Sequence, residues 1–338
     1  MSTRRGRISI DGFHSGIEDR DEVELGPEED TRALKSRWWR FADELRRDRL
    51  ALMGGFVVLV MLLAAVFAWP IAVRGVTIQP FALAPHDPFA TRVGGRYEAP
   101  SVTHPFGTDR IGRDLFSRVM YGTRFSVSMG LVVTAIAASF GVIYGGISGY
   151  FGGKVDDLMM RFVDLIFAFP GLVLAMVIVA MLGRGYWHLV LAFVAVGWAG
   201  YARLIRGEIL KVKQNEYVLA AKALGAKDRT VLFRHIVPNA IAPVIVQATL
   251  AIGTVVIGIA ALGFLGIGFA PGTPEWGTIL SAERDTVVSH GADWRWWATI
   301  FPGIAIFLFV MSTNMIGDAV NDALDAQAGE ETGHMGGG

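Results

Sequence analysis

Stretches free of Asp, Glu, Lys and Arg recur along the chain at Leu50–Val73, Phe125–Gly153, Leu165–Gly183, Gly185–Ala202, Ile236–Pro274 and Trp296–Gly317. A bilayer core asks for ~20 apolar residues per helix, so the pattern predicts about six membrane spans. The fold class that follows is all-α, a polytopic membrane helix bundle. The fifth run is too long for one helix. Its part "GFLGIGFAPGTPEWG", Gly263–Gly277, is dense in Gly and Pro and predicts a helix end followed by an irregular outer segment. Gly and Ala are frequent in the spans, as in "ASFGVIYGGISGYFGG", and small residues let helices approach closely in lipid.

The polar stretches are as informative as the apolar ones. "EYVLAAKALGAKDRTVLFRHIVPN", Glu216–Asn239, is far longer than a connector needs to be. Glu216–Leu224 contains no breaker, Gly225 suits a left-handed cap, and Asp228 suits the start of a second helix. Pro238 begins the fifth span, where a missing N–H costs little. The prediction is a helix, a tight turn and a helix lying on one membrane face, within a polar region spanning 207–238. Ala220 and Ala221 give it a smooth surface on which another protein's groove can close. A hairpin that packs only against its own bundle is the competing reading.

Residues 1–36 mix Gly, Pro and acidic clusters and predict a disordered cytoplasmic tail. In "RWWRFADELRRDR", Arg37–Arg49, the residues Trp38, Phe41, Ala42 and Leu45 share one helical face, which predicts an interfacial amphipathic helix over 37–49. The span at Leu50–Val73 then reads as a signal anchor. A transmembrane domain over 50–325 follows, with loops at 74–124 and 267–295 and a disordered tail at 326–338.

Composition sharpens the picture only in places. The chain has 338 residues, 52% of them hydrophobic and 18% charged, as an integral membrane protein requires. Net charge is zero, so no nucleic-acid partner is indicated. There is no cysteine, which removes disulfides and thiolate chemistry. The distribution of charge orients the chain: eight basic and three acidic residues lie between Arg203 and His235, against two basic and four acidic between Ile267 and Arg295. The positive-inside rule therefore places both termini and the 207–238 segment in the cytoplasm, and 74–124 and 267–295 outside. Arg110, Arg113, Arg118 and Arg124 break that rule in the first outer loop. They are expected to pair with Asp109, Asp114 or another subunit.

Candidate chemistry is sparse. Asp156, Asp157, Arg161 and Asp164 precede "LIFAFP", and Arg161 and Asp164, three residues apart, are placed to pair on a helix. Phe169–Pro170 is placed to bend the third span. Arg161, Asp164, Phe169 and Pro170 are therefore candidate pathway or gate residues. The seven histidines are scattered without ligand spacing, so no metal site is expected, and no catalytic constellation is found. There is no P-loop: Gly153-Lys154 is followed by Val155, with Ser148 where the first glycine belongs.

At this point the residues carry a resemblance. "AAKALGAKDRTVLFRHIVP" is similar to the cytoplasmic EAA loop of bacterial and archaeal ABC-importer permeases, with Ala220, Ala221, Gly225 and Pro238 matching and Leu219 in place of the family glutamate. "HPFGTDRIGRDLFSRVMYGTRFSVSMG", "GYFGGKVDDLMMRFVDLIFAFPGLVLA", "FLGIGFAPGTPEWGTIL" and "FPGIAIFLFVMSTNMIGDAVNDALD" resemble the oligopeptide, dipeptide and nickel branch, its "C" permease subunit in particular. The likeness runs from Arg37 to Asp325. It implies a type I importer permease fold and a non-catalytic subunit of the cytoplasmic (inner) membrane of a bacterium or archaeon. The implied partners are a second homologous permease, two ABC ATPases and an extracellular or periplasmic substrate-binding protein. The segment 216–238, through Glu216, Ala220, Ala221, Lys222, Gly225, Ala226 and Pro238, is implied to couple to the ATPases. This chain is expected to bind no cofactor, ATP and Mg being used by the partners. A secondary carrier and a membrane-embedded enzyme are the competing classes; the first should show inverted repeats, the second a catalytic constellation, and the sequence shows neither.

Overall fold

The computed structural model of the protein describes residues 45–73, 76–285 and 295–335. The tail expected at 1–36 and most of the amphipathic segment 37–49 lie outside the described residues. Helix α1, Arg49–Phe67, begins at Asp48, whose Oδ1 accepts the Leu50 N–H at 2.8 Å. It ends before the expected Val73. Pro70 has no N–H to donate, and the β-branched Ile71 and Val73 enter strand β1, Ile71–Val73, which pairs antiparallel with β2, Val76–Gln79.

Helix α2, Leu115–Phe151, starts at Asp114 rather than at Phe125. The Asp114 Oδ2 accepts the Ser117 N–H at 2.8 Å, so the helix has a capped start well before its charge-free run. Its 37 residues make a rod about 55 Å long, beyond the ~30 Å of a hydrocarbon core. Arg118 and Arg124, expected in a loop, therefore ride on the protruding part of the helix.

The third span is a broken pair. Helix α3, Gly153–Phe167, and helix α4, Gly171–Leu182, meet at an 83° bend at Ala168–Pro170. Helix α5, Tyr186–Val212, returns along α2. Gly141, Gly145 and Gly149 form a stripe on α2 at four-residue spacing. A Cβ on Gly141 would sit 2.6 Å from the Tyr201 Cβ, and one on Gly145 would overlap the Ala202 carbonyl. In lipid, where apolar surface gives no association energy, this backbone approach is what holds two helices together.

After α5 come the short helix α6, Glu216–Ala223, and α7, Asp228–Thr230. A π-helical turn, Val231–Ile236, then leads through α8, Val237–Ala240, into α9, Ala242–Phe264. As expected, the chain leaves the helix near Gly263, and Gly266 adopts φ +77°. The segment that follows, expected outside the membrane, holds a helix that periodicity did not reveal, α10, Trp276–Ala282. Glu275 caps it by accepting the Gly277 and Thr278 N–H groups, both at 2.8 Å. Helix α11, Trp297–Met335, closes the bundle and continues through most of the 326–338 segment expected as a disordered tail, where Ala, Gln and Glu are good helix formers.

Among the described residues, five helices are long and apolar enough to cross a membrane, and the bent pair makes a sixth span. Packing supports that count. The end of α2 touches the segment after α5, since Lys213 Nζ donates to the Gly149 carbonyl at 2.8 Å. Both ends therefore lie on one side of the bundle, and the α3–α4 pair must carry the chain across between them. The fold class is all-α, a polytopic bundle carrying one small hairpin of strands.

Candidate functional site

The segment after α5 is built as an anchored hairpin. Its turn is a Schellman motif: the Gly225 N–H donates to the Lys222 carbonyl at 2.9 Å and the Ala226 N–H to the Ala221 carbonyl at 3.1 Å, with Gly225 at φ +82°. Asp228 stands inside the second helix rather than capping it; Lys227 holds the cap position. The Asp228 carboxylate instead accepts the Tyr150 hydroxyl at 2.5 Å, and Lys222 Nζ lies 4.5 Å above the Tyr150 ring. The second helix passes into the π turn just before Pro238. Pro238 has no N–H to donate back into this turn, and the Asn239 Nδ2 donates to the His235 carbonyl at 2.7 Å.

One face of the hairpin is fixed. Val218, Val231, Leu232 and Ile236 are buried in a cluster with Tyr150, Tyr201, Ile205 and Ile209. The other face has no cover: Leu224 is 89% exposed and Leu219 54%, beside Ala220 and a half-buried Ala221. Glu216 is exposed in the first turn of α6, where the helix dipole favours a carboxylate. Sequence reasoning missed Tyr150 and Lys213, which sit at the ends of spans and bind the hairpin to α2 and α5. The only cues were the glycines flanking Tyr150 and the polarity of Lys213 just past the end of a span.

The candidate gate residues are arranged differently from expectation. Asp164 pairs with Arg203 of α5 at 2.5 Å, not with Arg161 on its own helix. Arg203 also lies 4.3 Å above the Phe167 ring, so it gains an aromatic contact along with the carboxylate. One turn further along α5, Arg206 binds both oxygens of Asp156, which also accepts the Ser148 hydroxyl at 2.6 Å. Arg161 makes no ion pair with any described residue. Phe169 and Pro170 are exposed at the bend, and Pro170 starts α4 rather than kinking a continuous helix.

At the opposite end of the bundle Arg113, Arg118 and Arg124, expected in a loop outside the membrane, find partners within the chain. Arg113 Nε donates to Asp109 Oδ2 at 2.5 Å. Arg118 donates to the carbonyls of Pro88 and Gly272 at 2.9 and 3.2 Å, and Arg124 to those of Ala65 and Trp69 at 2.8 and 2.6 Å. Asp114 takes no arginine. Arg110 and Arg113 line a cavity of about 520 Å³ with Phe269, Thr278 and Arg284. Nearby, burial and then Glu283 push the Tyr97 hydroxyl up to about 12, while burial and the Asp109 charge raise the Glu283 carboxyl. The histidines are not all scattered: His86 and His104 meet Asp114, with one ligand-type atom from each lying within 4.8 Å of the others. Their sequence separation hid this, since the extension that joins α1 to α2 folds back on the start of α2.

Six crossings with an anchored helical hairpin projecting from one end define a multi-span membrane component. The chain belongs to the binding-protein-dependent transport system inner membrane components, whose family model matches residues 141–329. A second model, the N-terminal TM domain of oligopeptide transport permease C, matches residues 36–100. The dipeptide transport system permease protein of Alkalihalophilus pseudofirmus is 39% identical over 88% of this chain and 93% of its own length. Its namesake in Bacillus subtilis is 35% identical over 85% of this chain and 84% of its own. A glutathione transport system permease protein of Escherichia coli is 37% identical over 86% and 91%. The resemblance drawn from the motifs therefore holds: the chain is a C-type permease subunit of an ABC importer, a multi-pass inner membrane protein and not the catalytic subunit. None of these names refers to nickel.

Proposed function

We propose that the chain forms, with a second homologous permease, the membrane pathway for dipeptides, oligopeptides or a related small solute such as glutathione. Two ABC ATPases couple to the permease pair, in this chain through the 216–238 hairpin, and an extracellular or periplasmic binding protein delivers the solute to the opposite end. ATP and Mg²⁺ are used by the ATPases, and both termini face the cytoplasm of a bacterial or archaeal cell. The relatives' names support the solute class, and the excess of basic residues at the hairpin end supports the orientation. The observation that carries the coupling role is the two-sided hairpin. Its inner face is locked to α2 and α5, while its outer face leaves Leu219, Ala220 and Leu224 uncovered. A rigid lever with a free apolar edge is what transmits closure of a partner's cleft into the spans.

Gly225 tests this. A Cβ there meets nothing within 4 Å, so Gly225→Val acts only through its φ of +82°, a strain of about 1 to 3 kcal/mol for a β-branched residue. The expected outcome is normal insertion and pairing with the second permease, but reduced ATPase retention on the purified pair and loss of uptake. Ala221→Asp should act likewise by placing a charge in a closed groove. Normal retention and uptake in both variants would make the hairpin a connector only.

A further inference from the structure

The extension between α1 and α2 gathers two imidazoles around one buried carboxylate. Asp114 is fully buried, and His104 Nδ1 lies 2.8 Å from its Oδ1. His86 Nδ1 lies 3.8 Å from its Oδ2, and the two imidazole rings stand 5.0 Å apart at 31°. Two features are poorly explained by hydrogen bonding alone. His86 Nδ1 is buried without a hydrogen-bond partner, a costly condition for a polar atom. On its other side, His104 Nε2 faces Glu98 Oε2 at 4.0 Å. A carboxylate behind a ligating histidine is the usual support for a metal-bound imidazole, since it fixes the ring's tautomer and orientation.

We propose that His86, His104 and Asp114 form a three-ligand site for a divalent transition-metal ion of the zinc type. Imidazole nitrogen and carboxylate oxygen suit such ions. Bonds of ~2.0 to 2.1 Å to a tetrahedral ion place ligand atoms about 3.3 Å apart. The 2.8 Å His104–Asp114 contact must open slightly, and His86, whose side chain is 29% exposed, must swing in. A ligating His104 Nδ1 must offer its lone pair, so the proton of the neutral ring would sit on Nε2, facing Glu98 Oε2. A water would complete a four-coordinate ion. Because His86 and His104 belong to the extension while Asp114 caps α2, the ion pins the extension to the helix start.

The experiment is calorimetric titration of Zn²⁺ into the purified, tag-free transporter complex after chelator treatment, for wild type, His86→Phe and His86→Ala. The His86 side chain makes no hydrogen bond with any described residue, and phenylalanine keeps the ring contact with His104 while removing the nitrogen. One strong site per chain in wild type, weakened at least tenfold in both variants, together with an unfolding midpoint that Zn²⁺ raises only in wild type, is the expected result. No strong site in wild type, or variants that bind as wild type does, would overturn the proposal.

Discussion

Two neighbouring glycines of α2 separate packing from conformational freedom. Gly145 faces the Ala202 backbone so closely that any side chain must push α5 away, whereas a Cβ on Gly146 has the Ile209 Cδ1, at 3.6 Å, as its nearest contact. Gly145→Ala should therefore lower the unfolding midpoint in detergent by the equivalent of about 1 to 3 kcal/mol, as overpacking of a tight contact does. Gly146→Ala, on the same helix, should be neutral or stabilising by up to ~1 kcal/mol from helix propensity. Equal midpoints for the two variants would mean that the glycine stripe does not hold α2 to α5. The stripe was visible in the sequence as a run of small residues. Which of the adjacent glycines touches a partner was not, because that depends on how α2 is rotated against α5.

At the scale of elements, α3 is tied to α5 by two ion pairs of different quality. Arg203 and Asp164 are about half exposed, and such pairs couple by ~0.2 to 1 kcal/mol. Asp156 has a side chain only 9% exposed and holds Arg206 by two hydrogen bonds. Arg206→Ala leaves that carboxylate with Ser148 alone, so it should destabilise by ~1 to 3 kcal/mol. Arg203→Ala should cost clearly less. Thermal unfolding of both variants beside Asp156→Asn measures this, and a larger loss for Arg203→Ala would reverse the ranking. These pairs also mark what the sequence withheld. Arg161–Asp164 was legible as a three-residue spacing, but the pair that forms requires knowing that α5 returns alongside α3. Likewise, charge-free runs located every span, yet misplaced the start of α2. Arg118 and Arg124 read as loop residues there, because nothing local shows that carbonyls of Pro88, Gly272, Ala65 and Trp69 receive them. The hairpin was the best-read element, since its cap glycine and proline act through local backbone chemistry, whereas the Tyr150 clamp arises from tertiary contact.

For the whole molecule, sidedness follows from which ends touch. The hairpin meets the end of α2 through Tyr150 and Lys213, while the start of α2 meets the α9–α10 segment through Arg118 and Gly272. Trp297, at the start of α11, reaches the Thr108 carbonyl on that second side at 3.4 Å. The chain thus alternates sides through six crossings, and Arg49 and Leu324 come out on the side of the hairpin. The basic excess between Arg203 and His235 is the observation on which we propose, by the positive-inside rule, that this side is cytoplasmic. Three of the four arginines that run against the rule are held inside the fold, Arg113 by Asp109 and Arg118 and Arg124 by backbone carbonyls, so they do not act as free loop charges. The absence of cysteine allows a direct test with single replacements. Val102 is fully exposed in the extension and Lys222 is exposed on the hairpin. In intact cells an impermeant thiol reagent should label Val102→Cys and spare Lys222→Cys, and both should react once the membrane is opened. Labelling of Lys222→Cys in intact cells with Val102→Cys protected would invert the molecule, and labelling of both would place the α3–α4 pair on one side of the membrane instead of across it.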